Sequence, residues 1–132
     1  MARPAEPSAT ILVVEDHDDS RDAMGQLITA LGYRAVLAAS GTEALTILQG
    51  SRPDLILCDV RMPGMDGFTF AKAVRSEPGF ARVKLVAVTG LSDRAYAARL
   101  LAAGFDCHLV KPLDYDALLA ALDRFLWMPP KR

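Results

Sequence analysis

Short apolar runs alternate with amphipathic stretches along most of the chain. Five of these runs have the length and the turn-bounded ends typical of strands. The five runs fall at residues 10–16, 34–39, 54–59, 83–89 and 107–111. The third and the first also have the pattern of strands buried in a sheet, the third on both of its faces. The third run, Leu55-Ile56-Leu57, leads directly into a turn-rich segment that contains proline and glycine. The pattern predicts five strands, each followed by a polar turn.

The stretches between the runs are typical of helices. In the first, four apolar residues from Met24 to Leu31 recur at i, i+3, i+4 and i+7, and Gly32 stands at a C-cap position. Ser40 and Glu43 have capping-box spacing at the start of the second helix. Further helices are predicted at residues 68–75, 92–103 and 114–125, with Ser92 and Asp114 as N-caps of the last two.

Alternating strands and helices predict an α/β fold. Units of this length form a parallel sheet with helices on both faces, joined by right-handed crossovers. The favoured topology is a doubly wound, flavodoxin-like (βα)5 sheet with strand order 2-1-3-4-5. We expect one domain at residues 10–127, a flexible leader at 1–9 and a short tail at 128–132.

Composition excludes several classes of protein. The 132 residues carry 15 basic and 16 acidic side chains, a net charge of −1, which does not indicate a nucleic-acid or membrane surface. There is no apolar stretch of membrane-spanning length and no secretory h-region near the start. The two cysteines, Cys58 and Cys107, form no metal-binding motif and lie in apolar runs. We expect a soluble, cytoplasmic domain with reduced, core-packed thiols.

Polar groups end four of the five predicted strands. The acidic pair Glu15-Asp16 follows the first, Asp59 ends the third, Thr89 the fourth and Lys111 the fifth. Parallel strands bring their C-terminal ends to one sheet edge, so these side chains should converge. Crowded carboxylates raise one another's pKa, and a hard divalent cation relieves that repulsion. Mg²⁺ is the natural candidate, because it prefers carboxylate and phosphate oxygens.

A lysine and a hydroxyl facing a metal-bound carboxylate favour phosphoryl transfer, with Asp59 as the nucleophile. Each residue alone has a plain structural explanation: acidic residues favour helix starts, and hydroxyls form turns. The coincidence of all four at strand ends argues against those explanations. His17 is interpreted as a solvent-facing loop histidine, because oxygen-rich surroundings suit a hard cation better than imidazole does.

With these residues, the chain resembles the receiver domain of two-component response regulators over residues 10–126. The motifs are the acidic pair, Asp59 with Met-Pro-Gly-Met-Asp-Gly shortly after it, Thr89 and Lys111-Pro112. The resemblance implies that a histidine kinase or a histidine phosphotransfer protein phosphorylates Asp59. It also implies a role for this chain as a signalling switch, not as an enzyme acting on other substrates.

The resemblance further implies the roles of individual residues. Asp16, Asp59 and the backbone carbonyl of Arg61 would ligate Mg²⁺, with Glu15 acting through water. Lys111 would contact the phosphoryl group, and the Lys111-Pro112 peptide bond would be cis.

Other positions would set the response and its lifetime. Thr89 would swing toward the phosphoryl group. The switch aromatic expected three residues before the lysine is replaced by His108. Arg61 and Leu91 would flank the path of the attacking water and set the lifetime of the phosphoryl group. The surface of helix 4, strand 5 and helix 5 would bind a downstream protein partner, with no direct contact to DNA or membrane.

Three alternatives remain from the residues. A haloacid-dehalogenase-type aspartyl-phosphate phosphatase also uses a strand-end Asp and Mg²⁺, but it needs a second Asp where Arg61 stands, and a cap. A flavodoxin-like cofactor binder would need a phosphate loop where Glu15-Asp16 lies. A pseudo-receiver that acts by binding alone is disfavoured by the complete set of phosphorylation residues. The sequence is compatible with a stand-alone receiver or with a piece of a longer protein.

Overall fold

A computed structural model describes residues 9–91 and 93–126. Five parallel strands form one sheet in the order β2-β1-β3-β4-β5, which confirms the predicted fold class and topology. The strands are β1 (Thr10–Val14), β2 (Arg34–Ala38), β3 (Leu55–Asp59), β4 (Lys84–Thr89) and β5 (Cys107–Val110). The helices are α1 (Asp18–Ala30), α2 (Gly41–Leu48), α3 (Gly67–Arg75), α4 (Arg94–Ala103) and α5 (Tyr115–Leu126), with a 3-10 turn at Pro78–Phe80.

The register of the sheet decides where the strand ends meet. Val14 pairs with Cys58, so Glu15 follows β1 at the level of Asp59. Asp59 in turn pairs with Val88. On the other side of β4, Thr89 pairs with Val110, and Lys111 comes one residue later. The pairing therefore brings all four polar strand ends to a single edge, as the sequence predicts.

Two apolar layers enclose the sheet because strand side chains alternate between its faces. One layer joins the sheet to α1 and α5 through residues such as Ile28, Leu118 and Leu122. The other joins it to α2, α3 and α4 through residues such as Phe70 and Leu100. Each fully buried side chain of this size contributes about 1.5–3 kcal/mol. The sheet is thus a rigid platform for the edge above it.

Helix caps agree with the sequence at two helices and differ at a third. Ser40 Oγ accepts from the Glu43 N–H at 3.0 Å, and the Asp114 carboxylate accepts from the Ala117 N–H at 3.1 Å. The prediction that Ser92 caps α4 was wrong. The Asp93 carboxylate caps α4 by accepting from the Tyr96 N–H at 2.9 Å, and the helix begins one residue later. Ser92 itself lies outside the described residues.

At the opposite, N-terminal edge of the sheet, Arg75 ties three segments together. Its guanidinium donates to the carbonyls of Gly104 (3.0 Å), Phe80 (3.1 Å) and Val83 (2.7 Å). It also donates to the Asp106 carboxylate at 3.0 Å, which accepts from the backbone of β4 as well. Every charge in this cluster therefore has several hydrogen-bond partners.

The predicted leader and tail fall outside the described residues, except for Ala9. None of the helices in the described ranges is long and apolar enough to cross a membrane.

Candidate active site

Buried polar side chains concentrate at the C-terminal edge of the sheet. Within residues 9–91 and 93–126, Glu15, Asp59 and Thr89 are the buried polar or charged residues. Each of them follows or ends a strand, and each was predicted as a site residue. Burying a charged group is costly unless it is paired or binds a cation. Because these buried polar groups lie at this edge of the sheet, it is the candidate functional site.

Lys111 lies between two of these carboxylates. Its Nζ is 3.2 Å from Asp59 Oδ1 and 3.6 Å from Glu15 Oε1. The Lys111 backbone N–H donates to the carbonyl of Thr89 at 2.8 Å, which fixes the position of the Lys111 backbone at this edge. The Lys111-Pro112 peptide bond is cis, as the resemblance implied. The ammonium is thus held beside the carboxylate that the sequence predicts as the nucleophile.

The environment of Asp59 disfavours its negative charge. Burial raises the pKa of Asp59 above its usual value, and the charge of Glu15 raises it further. The Lys111 ammonium and a hydrogen bond from the Arg61 backbone N–H lower the pKa of Asp59 only in part. One ammonium therefore does not compensate the negative charge of the clustered carboxylates. A further cation at this edge would favour the ionised form of Asp59.

Asp16 offers an unused ligand atom at the same place. Its Oδ1 is buried and accepts no hydrogen bond within the described chain. An orphaned carboxylate oxygen beside other carboxylates fits a hard divalent cation, which takes oxygen ligands. The residues predicted to hold Mg²⁺ therefore fit that ion. That the backbone carbonyl of Arg61 also binds the ion stays a prediction.

Two residues outside the predicted set order the acidic loop. The Arg21 Nη1 donates to the carbonyl of Glu15 at 3.0 Å, and its Nη2 to the Asp18 carboxylate at 2.6 Å. The backbone N–H of His17 donates to Glu15 Oε2 at 3.1 Å. Sequence reasoning missed Arg21, because a first-turn arginine normally indicates only a solvated helix face.

The loop after Asp59 is folded back tightly, and Gly67 makes this possible. A Cβ on Gly67 would lie 2.7 Å from the Cα of Val60, and the Gly67 N–H donates to the carbonyl of Val60 at 2.8 Å. Asp66 caps α3 by accepting from the Thr69 N–H at 2.9 Å. This close approach keeps the loop folded against the end of β3.

The predicted switch residues share one face of the sheet. Thr89 Oγ1 accepts from the Leu91 N–H at 3.1 Å, so the hydroxyl holds the turn after β4. His108 pairs with Ala87, which lies two residues before Thr89 and packs in the α4 layer. His108 and Thr89 therefore lie on the α4 side, where a switch residue was expected.

Arg61 and Leu91 line an open cleft of about 590 Å³ beside the site, together with residues of α3 and α4. Both residues are exposed. That they flank the approach of water and set the lifetime of a phosphoryl group stays a prediction.

Cys58 lies next to Asp59 in sequence but packs in the buried layer under α2, α3 and α4. Burial raises the pKa of its thiol, which donates to the carbonyl of Asp59 at 3.2 Å. Both cysteines are free, as expected.

Known proteins resemble this chain in sequence and in fold. A family model, the response regulator receiver domain, matches residues 11–123. The chain is 38% identical over 92% of its length to the gliding motility regulatory protein of Myxococcus xanthus. It is 37% identical over 90% of its length to the response regulator PleD of Caulobacter vibrioides. It covers 16% and 26% of those two proteins, so it spans well under half of either relative.

Solved structures share the fold over their whole length. The Vibrio cholerae chemotaxis protein CheY4 superposes with a TM-score of 0.87 at 34% identity, covering 91% of this chain and 100% of that one. The receiver domain of sensor histidine kinase PA1611 from Pseudomonas aeruginosa, solved with a magnesium ion in its active site cleft, gives a TM-score of 0.82. It is 30% identical, over 90% of this chain and 98% of that one. Fold, site and sequence agree, and the chain belongs to the response regulator receiver domain family of two-component signalling.

Proposed function

We propose that this receiver domain is a phosphoacceptor switch, in which Asp59 takes a phosphoryl group from a histidine kinase or a histidine phosphotransfer protein. The observation that carries the proposal is the Asp59 carboxylate, buried at the end of β3 with Lys111 Nζ 3.2 Å from its Oδ1. A buried carboxylate with a raised pKa and an incomplete set of counter-charges is typical of a functional site.

In the proposed reaction, a carboxylate oxygen of Asp59 attacks the phosphorus of a phosphohistidine. The P–N bond breaks as the new P–O bond forms, and the imidazole leaves with the electron pair of the broken bond. The Lys111 ammonium stabilises the negative charge on the phosphoryl oxygens. The Thr89 hydroxyl, released from the Leu91 N–H, donates to one of those oxygens. Hydrolysis later restores Asp59, with water reaching the site through the cleft lined by Arg61 and Leu91.

Asp16, Asp59 and the Arg61 carbonyl would hold Mg²⁺, with Glu15 acting through water. When bound, the ion neutralises charge on the transferred phosphoryl group. The orphaned Asp16 oxygen supports this assignment. So does the magnesium ion in the cleft of the related PA1611 receiver domain. The chain would act on no other substrate, so its chemistry would be limited to gain and loss of its own phosphoryl group.

The output would pass through the surface of α4, β5 and α5. Each of these three elements exposes a large apolar side chain that a protein partner could cover: Leu101 (62% exposed) on α4, Val110 (41%) on β5 and Tyr115 (46%) on α5. Phosphorylation adds about two negative charges beside Thr89. His108 on β5 lies on the same face of the sheet as Thr89, and its side chain would transmit the change. The partner would be a cytoplasmic protein, since the balanced charge does not favour DNA or membrane.

Intact mass after incubation with Mg²⁺ and acetyl phosphate tests the proposal, with wild type beside Asp59→Asn. We expect a gain of one phosphoryl group that requires Mg²⁺ and is absent in the variant. Beryllofluoride, which mimics the phosphoryl group and does not turn over, separates rapid hydrolysis from failure to react. If beryllofluoride does not shift the NMR resonances of α4, β5 and α5, and no phosphoryl adduct forms, the phosphoacceptor proposal is wrong.

A further inference from the structure

His17 joins the acidic pocket. Its Nδ1 lies 3.5 Å from Glu15 Oε2 and 3.6 Å from Asp16 Oδ1, and the three ligand atoms all lie within 4.8 Å of one another. These separations are too long for hydrogen bonds. The expectation that His17 is a solvent-facing loop residue is correct for its 75% exposed side chain. That expectation did not foresee that one ring nitrogen points to the two carboxylates.

The two separations between the ring nitrogen and the carboxylate oxygens match those around a small tetrahedral ion. Ligand atoms about 2.0–2.2 Å from a tetrahedral centre lie about 3.3–3.6 Å apart. The backbone N–H of His17 already holds Glu15 Oε2, so this carboxylate is oriented before any ion arrives. Asp16 Oδ1, one of the two oxygens that face the ring, is the buried oxygen without a hydrogen-bond partner. An imidazole nitrogen and two carboxylate oxygens form a mixed donor set that suits zinc better than magnesium.

We infer that Glu15, Asp16 and His17 form a binding site for a transition divalent ion of the zinc class, overlapping the proposed magnesium site. This inference rests on the proposed function, because it assigns a second ion to the same carboxylates. An ion held by Asp16 and Glu15 takes the oxygens that Mg²⁺ requires. Zinc therefore antagonises the magnesium-dependent phosphorylation of Asp59, and His17 sets the selectivity of the pocket.

Calorimetric titration of Zn²⁺ and, separately, Mg²⁺ into the metal-free chain tests the inference. We expect His17→Gln to weaken Zn²⁺ binding by at least about tenfold, because the nitrogen ligand is lost. Mg²⁺ affinity should stay within about twofold, since oxygen ligands dominate that site. His108→Gln is the matched control, because it removes the chain's other imidazole and leaves the pocket intact; it should bind Zn²⁺ as wild type does.

A functional readout follows from the competition. Zn²⁺ added during phosphorylation with Mg²⁺ and acetyl phosphate should reduce the adduct of wild type, relative to the same protein without Zn²⁺, and should reduce that of His17→Gln much less. Equal Zn²⁺ affinity of wild type and His17→Gln would overturn the inference and leave the His17 contacts as an ion pair with the two carboxylates. Phosphorylation without zinc separates this inference from the proposed function. If the adduct forms but zinc binding does not depend on His17, only the zinc site is rejected. If the chain neither binds Mg²⁺ nor forms the adduct, the phosphoacceptor function is rejected.

Discussion

The two edges of the sheet each hold an aspartate beside a cation, yet they are built in opposite ways. At the N-terminal edge, the Arg75 guanidinium contacts Asp106 at 3.0 Å and also several loop carbonyls, while the same Asp106 oxygen accepts from the Leu85 N–H. At the C-terminal edge, Lys111 meets Asp59 at 3.2 Å and Glu15 at 3.6 Å. The first cluster is saturated with hydrogen bonds, and the second keeps excess negative charge.

This difference separates a structural ion pair from a functional one. A planar guanidinium with many fixed acceptors holds loops in place, which is a contribution to stability. In the proposed reaction, a single ammonium beside several carboxylates would contact the arriving phosphoryl group, and the uncompensated negative charge would favour binding of a metal ion. Substitutions at the N-terminal edge should therefore change stability, and those at the C-terminal edge should change chemistry.

The largest effect on stability is expected for Arg75→Ala. It removes all the guanidinium donors, so that the loop carbonyls lose this partner and Asp106 keeps only the Leu85 N–H. The free energy of unfolding should therefore fall by about 2–4 kcal/mol. Urea denaturation followed by circular dichroism measures this change. Arg75→Lys keeps the charge but not the planar fork and should give an intermediate loss. A loss below about 0.5 kcal/mol in Arg75→Ala would remove the contrast between the two edges.

Gly67→Ala should perturb the C-terminal edge through its backbone. The new Cβ would lie 2.7 Å from the Cα of Val60, so the loop after β3 must shift. We expect a loss of about 1–3 kcal/mol in stability and slower phosphorylation of Asp59. Gly50→Ala is the matched control, because nothing lies within 4 Å of its added Cβ. If the two variants have the same stability and the same rate of phosphorylation, the close packing of the loop after β3 is unimportant.

Mg²⁺ should stabilise the chain through the acidic pocket. At ten times its dissociation constant, an ion that binds only the folded state adds about 1.4 kcal/mol. Thermal unfolding with and without Mg²⁺ should show this increase in wild type and not in Asp16→Asn. Asp19→Asn, at an exposed position in the first turn of α1, should retain it. An increase that survives in Asp16→Asn would place the ion elsewhere.

Asp59→Asn should make the metal-free chain slightly more stable near neutral pH, although it abolishes phosphorylation. Because the folded pKa of Asp59 is raised above the unfolded value, its protonated form is favoured by folding. Its contribution to stability is therefore fully present below the unfolded pKa and is lost as pH rises through the folded pKa. The stability of wild type relative to Asp59→Asn should therefore fall as pH rises over that interval. A difference that does not change with pH would contradict the raised pKa.

Sequence reasoning worked best where one local signal decides the structure. The strands, the capping box at Ser40 and the polar residues at four of the five strand ends follow from periodicity and residue type. Asp59, Thr89 and Lys111 were found in this way because a parallel sheet fixes where strand ends meet.

The contacts that sequence reasoning missed depend on tertiary packing and on side-chain reach. Arg75 and Arg21 are long side chains whose acceptors lie in other segments or in a folded loop, so spacing alone does not reveal them. Asp93 and Ser92 are both good caps, and only the path of the loop after β4 selects Asp93. His17 was judged by the chemistry of its neighbours, whereas the direction of its ring follows from the loop conformation.

The position of Cys58 has a consequence for the chemical durability of the signal. An aspartyl phosphate is a mixed anhydride, and a nearby thiolate would intercept it to give a thioester and free phosphate. Alternation along β3 sends this thiol into the apolar layer, and burial raises its pKa so that it stays protonated. The neighbour of the proposed phosphoacceptor is therefore inert toward thiolysis, which would leave loss of the phosphoryl group to water.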